Sequence, residues 1–135
     1  MTAAAVLYVA DLERMCSFYR ECFALQATDT AADHCVLESE TWTLSLVVVP
    51  DSVAATLDLS VPPARRTTVP IKLAFPVSSI RDLRPVVLDF GGQVDPSSAE
   101  WEYRGFRHCD GVDPEGNVIE LREPLTAERD AVRNG

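Results

Sequence analysis

Histidine, glycine and long apolar runs are what this chain has least of. Only 2 histidines occur in 135 residues, so any site that needs several imidazoles has almost nothing to draw on. Glycine is scarce (6) and proline moderate (9), which speaks against disorder outside the ends. No apolar run approaches the ~20 residues that span a bilayer. The longest, LSLVVV from Leu44 to Val49, is the size of a strand. The first residues, MTAAAVLYVADLERM, lack a basic region and a cleavage site, so the expectation is a cytoplasmic protein without a signal peptide. Positive charge is also short: 12 Lys and Arg against 21 Asp and Glu give a net charge of -9. That argues against nucleic acid, which requires a basic surface. It would suit a cationic small molecule, or serve solubility alone. The four cysteines, Cys16, Cys22, Cys35 and Cys109, show no C-x-x-C spacing and read as reduced and mostly buried. There is no G-x-G-x-x-G, P-loop or nucleophile elbow.

What is present is a repeat. AAAVLYVA (3–10) reads as a strand, and a helix follows from Asp11, its N-cap, to about Leu25. Leu12, Met15, Cys16, Tyr19, Cys22 and Phe23 make one apolar stripe on it. Strands follow near 25–28, 34–39 and 41–50. Residues 51–69, with Pro62-Pro63 and Arg65-Arg66, read as a linker. The series then restarts. Pro70–Val77 is a strand, and Ile80–Phe90 a helix closed by Gly91-Gly92. Pro85 predicts an irregular first turn there, or a start near Asp82. Strands are expected near 93–94, 100–104, 106–110 and 117–123, the last two joined by a tight Asp113-Pro114-Glu115-Gly116 turn. The organisation is α+β: two βαβββ modules, about 3–50 and 70–124, in a single domain 1–124 with a polar tail 125–135. Neither half is large enough for a comfortable core of its own.

The repeat, with VADLERMCSFYRECF in its first half and FGGQV followed by YRGFRHCDGVDPEGNVIELREP in its second, resembles the vicinal oxygen chelate superfamily. That superfamily includes glyoxalase I, bleomycin resistance proteins and extradiol dioxygenases. The resemblance spans residues 4 to 124, and DPEGNVIEL is its most specific part. It implies an open cup-shaped mixed sheet from the two paired modules, ligands held in the concave face, and a homodimer. It also implies where a metal would be held in the metal-using members: four strand positions, usually His, Glu, His and Glu. These fall here on Ala4, Ser45, Lys72 and Glu120. One ligand survives in four, and a lysine cation does not ligate a divalent metal. The expectation is therefore no metal, no other cofactor and no catalytic residue of the family type.

Strand parity then selects the residues facing the cup. Tyr8, Thr43, Ser45, Lys72, Glu120 and Arg122 are its polar points on an otherwise apolar surface, the composition of a small-molecule site. Lys72 and Glu120 are expected either to pair as ions or to stand apart, wetted by pocket water. The register of Trp101, Tyr103, Arg104 and Arg107 stays open. A metal shared by His34 and His108, each followed by a cysteine, is disfavoured because adjacent strand residues face opposite sides. A Schiff-base role for Lys72 is disfavoured by its acidic neighbour. Three functions are carried forward: a metal-independent small-molecule binder of the antibiotic-sequestering kind, a metal-dependent lyase, isomerase or dioxygenase, and a subunit without a ligand. The first is preferred, with a cationic or aromatic ligand and neither nucleic acid nor membrane as a partner.

Overall fold

The computed structural model describes residues 2–125, so the predicted tail lies almost wholly outside the described residues. The first module runs β1 (Ala3–Val9), α1 (Leu12–Phe23), β2 (Gln26–Thr30), β3 (His34–Glu38) and β4 (Trp42–Val48). A single helical turn, α2 (Asp51–Ala54), opens the segment read as a linker, which carries no periodic signal. The second module runs β5 (Leu73–Pro76), α3 (Ile80–Asp89), β6 (Gln93–Val94), β7 (Trp101–Tyr103), β8 (Phe106–Val112) and β9 (Val118–Pro124). In each module the first strand lies parallel to the last, and the other pairings are antiparallel: β1-β4-β3-β2 and β5-β9-β8-β6. β7 also pairs with β8. β6 and β7 thus take the place of β2, as one strand broken by a short 3-10 turn at Ser97–Ala99.

Both helices pack on one side of the sheets. Met15, Phe18 and Tyr19 of α1 and Ile80 and Val87 of α3 are fully buried, together with Val9, Leu44, Leu46 and Leu121 from the strands. Phe18 lies outside the stripe read from the sequence. It is enclosed because the backbone at Gly92 approaches it so closely that a Cβ there would stand 2.6 Å from its ring. Phe75 is the point where the modules meet: its ring lies 4.1 Å from Phe23, 5.2 Å from Trp42 and 5.5 Å from Tyr19.

Local chemistry fixes where the helices begin. Asp11 caps α1 by accepting from Arg14 N, and the Glu115 carboxylate accepts from Ala10 N and Asp11 N at 2.9 and 2.8 Å. At α3, Ser79 accepts from Asp82 N, and buried Glu123 accepts from Ile80 N at 2.9 Å. The helix therefore starts at Ile80, without the delay to Asp82 or the irregular turn that Pro85 suggested. Pro85 withholds a donor from the Arg81 carbonyl, and both residues are exposed, so water can supply it. The strand expected from Pro70 begins only at Leu73, which leaves Lys72 one residue before it.

The DPEGN turn has a structural role. Gly116, at φ +84°, donates to the Asp113 carbonyl at 3.0 Å. The Asp113 carboxylate is fully buried. It accepts from Glu115 N (2.9 Å), Asn117 N (3.0 Å), Asn117 Nδ2 (2.8 Å) and the Tyr19 hydroxyl (2.6 Å). Tyr19 belongs to the other module, so this turn clamps the halves together. Burial and the neighbouring Asp113 push the Tyr19 phenol well above its ordinary value, so it remains the donor.

Candidate functional site

Alternation along the strands gives each sheet a core face and an open face. In β1, Ala5, Leu7 and Val9 turn to the helices while Ala4, Val6 and Tyr8 turn away. In β4, Leu44 and Leu46 are buried, which leaves Thr43 and Ser45 on the open face. In the second sheet Phe75, Ile119 and Leu121 face the core. Ala74, Glu120 and Asp110 form one row across its open side, and Pro76, Arg122, His108 and Trp101 the next.

The register makes the two modules superimposable at the site. Val6 pairs with Ser45, with Ala4 two residues earlier; Ala74 pairs with Glu120, with Lys72 two residues earlier. Ala4 and Lys72 are thus equivalent, as are Ser45 and Glu120.

Of the six expected site residues, three come together. Lys72 Nζ lies 2.9 Å from Asp110 Oδ1 and 3.1 Å from Glu120 Oε1. Glu120 Oε2 accepts from Arg122 Nε at 2.5 Å and faces His108 Nδ1 at 3.1 Å. His108 Nε2 faces the Tyr103 carbonyl at 3.1 Å, so both ring nitrogens look at acceptors, and both contacts are hydrogen bonds only when the ring carries two protons. Trp101 stacks on His108, with ring centroids 5.2 Å apart and planes at 8°, and Lys72 Nζ stands 5.4 Å from the Trp101 centroid. Tyr8, Thr43 and Ser45 lie on the first sheet, and among the described residues no hydrogen bond or ion pair joins them to this cluster. Arg107 turns the other way, to Glu100, Glu102 and Glu123, while Arg104 sits on the β7–β8 turn over the Tyr103 ring.

The electrostatics follow from this geometry. Burial pushes the Glu120 carboxyl up, but Arg122, His108 and Lys72 outweigh it and bring it from 4.5 down to about 2. Partial burial pulls the Lys72 ammonium down, and its two carboxylate partners more than restore it, so it stays charged and is no Schiff-base nucleophile. Because the folded value of Glu120 lies below the ordinary one, its pairing stabilises the protein above pH 4.5 and is lost as pH falls toward about 2. Urea midpoints measured from neutral pH down to about pH 2 should fall more steeply for the native chain than for Glu120→Gln. Parallel curves would deny the cluster that role.

A cavity of about 440 Å³ opens between β1 and the β5–β9 pair, with Ala4, Val6, Ile71, Leu73 and Val118 among its walls. None of Tyr8, Thr43, Ser45, Lys72, Glu120 and Arg122 lines it. Val118 stands two residues before Glu120 on the same face of β9, so the polar cluster borders the cavity.

The donor set does not fit a divalent metal. The two positions on the first sheet are a methyl group and a hydroxyl, and the third is an ammonium already bonded to the fourth. Among the described residues no group of three or more His, Cys, Asp or Glu is arranged to hold a metal ion. His34 is engaged with Asp29 and Asp33, on the sheet opposite to His108.

No protein-family model matches the chain, and no curated protein matches it. Solved structures do. A glyoxalase/bleomycin resistance protein/dioxygenase family enzyme from Burkholderia phytofirmans PsJN is similar with a TM-score of 0.69 at 16% identity, over 91% of this chain and 98% of that one. The fosfomycin resistance protein FosX from Listeria monocytogenes is similar with a TM-score of 0.64 at 16% identity, over 96% and 97%. An integron cassette protein of V. Cholerae reaches 0.61 at 21% identity, over 91% and 94%. A mutant of the Listeria protein has been solved with Mn(II) and a dihydroxypropylphosphonic acid. The chain has the α+β fold of these glyoxalase/bleomycin resistance-like structures. No helix among the described residues is long and apolar enough to cross a membrane.

Proposed function

We propose that this chain is a metal-independent small-molecule binding protein, with the apolar body of its ligand in the cavity beside β1 and its polar end at the Lys72–Glu120 cluster. One observation carries the reading: the Lys72 ammonium is bonded to both Asp110 and Glu120, so a fixed internal cation stands where the metal-using members of this superfamily would hold theirs. With Arg122 also bonded to Glu120, two cations balance the two carboxylates without a metal. The cavity volume lies within the range of small-molecule sites, and its walls are mostly aliphatic. Sequestration of a toxic compound is the physiological role that fits a binder without chemistry of its own. Structures of the same fold that carry resistance in their names, a glyoxalase/bleomycin resistance protein and a fosfomycin resistance protein, support that role. Tyr8, Thr43 and Ser45 would complete the site if a ligand spans both sheets. A cytoplasmic homodimer belongs to the same reading, and sedimentation equilibrium tests its stoichiometry.

The uncharged dye prodan tests the cavity itself. With chelator-treated protein, a saturable one-to-one rise in dye fluorescence is expected, and Ala4→Trp, which fills the cavity from its β1 wall, should abolish it. No saturable binding, or binding that ignores the plug, would overturn the reading.

A further inference from the structure

The hydrogen bonds of the cluster leave its donors and acceptors unequally engaged. Glu120 Oε1 is taken by Lys72, and Oε2 by Arg122 and His108. Asp110 Oδ1 is taken by Lys72. Arg122 spends only Nε on Glu120; its Nη1 and Nη2 groups have no bonded partner among the described residues, and its side chain is 49% exposed. Lys72 uses two of its three N–H groups on carboxylates. What this face offers an incoming molecule is therefore mainly N–H donors. The net charge of -9 belongs to the rest of the surface and does not decide what binds here.

From this, and resting on the binding role proposed above, we infer that the ligand is an aromatic acid, its carboxylate held by the free edge of the Arg122 guanidinium. A planar fork with two parallel N–H groups matches the two oxygens of a carboxylate. A cationic head group would have to compete with Lys72 at Asp110 and with Lys72, His108 and Arg122 at Glu120, where only Asp110 Oδ2 has no bonded partner among the described residues. Arg122 Nε is bonded back to Glu120, and Glu120 stands between Arg122 and the cavity-lining Val118 on the same face of β9. An acid bound there can place its ring in the cavity while its carboxylate stays on Arg122. Trp101, Tyr103 and Phe106 stand on the same face, 38%, 60% and 36% exposed, and supply flat surface around the head group.

Three probes sharing one ring separate this proposal from the one beneath it: naphthoate, naphthylmethylammonium and naphthylmethanol, titrated calorimetrically into the full, chelator-treated chain. Naphthoate is expected to bind at least about tenfold more tightly than the other two, and Arg122→Gln to bring it down to the level of the alcohol. Arg122→Lys, which keeps the charge and loses the fork, should fall between. If the ammonium or the alcohol binds as well as the acid, or Arg122→Gln changes nothing, the acid assignment fails while the cavity reading stands. If none of the three binds, the cavity reading fails with it.

Discussion

Replacing Lys72 with histidine is expected to turn the polar cluster into a divalent-metal site. In the native chain, Asp110 and Glu120 converge on one ammonium at 2.9 and 3.1 Å. Removing that ammonium leaves two carboxylates aimed at one point, with His108 Nδ1 3.1 Å from Glu120. The new imidazole stands at the position that resembles a family His ligand. Two imidazoles and two carboxylates satisfy the three-ligand minimum of a zinc site. A dissociation constant for Zn²⁺ at about the micromolar level is the expected result, against no measurable binding by the native chain. Calorimetry reads the affinity directly, and unfolding temperature rises with metal if only the folded state binds it. A folded Lys72→His variant indifferent to zinc would mean that the carboxylates part once the ammonium is gone.

The second large effect is expected at Asp113. Its carboxylate serves four donors, among them the fully buried Tyr19 hydroxyl of the other module. Asp113→Ala orphans these donors where water cannot reach all of them, and each such group costs about 1–3 kcal/mol. A loss of about 3 kcal/mol or more is expected, which lowers the unfolding temperature by roughly 10 °C in a domain of this size. Tyr19→Phe removes only one bond and should lose about 1 kcal/mol. Thermal unfolding of both variants checks the ranking. An Asp113→Ala loss smaller than that of Tyr19→Phe would show that the turn does not join the modules.

The βαβββ pattern was legible because apolar periodicity and turn residues mark each element. The short linker helix α2 left no such mark in its four residues. Pro85 misled about the start of α3 because the cap depends on Glu123, a carboxylate 43 residues away along the chain. The Lys72–Glu120 contact was one of two arrangements the sequence left open. His108 and Asp110 escaped as members of the cluster, although their signal was present, and the register of Trp101 was left open. The turn at Asp113–Gly116 sets Val112 opposite Val118, and counting back places Asp110 opposite Glu120 and His108 opposite Arg122. Trp101 needed one more step, across the irregular β6–β7 segment, where no pattern fixes the register. Tyr8, Thr43 and Ser45 were correctly assigned to an open face, but parity alone does not say that two such faces form one cluster.

Metal analysis of the native, untagged protein, with a divalent-metal titration of its unfolding temperature, bears most directly on the central claim that an internal ammonium replaces a metal at this site. Far less than one metal per chain and no shift with Zn²⁺, Mn²⁺ or Ni²⁺ are the expected results. One tightly held metal per chain would contradict the claim: Lys72 would then not hold the cation position, and the metal-dependent enzyme reading would take its place.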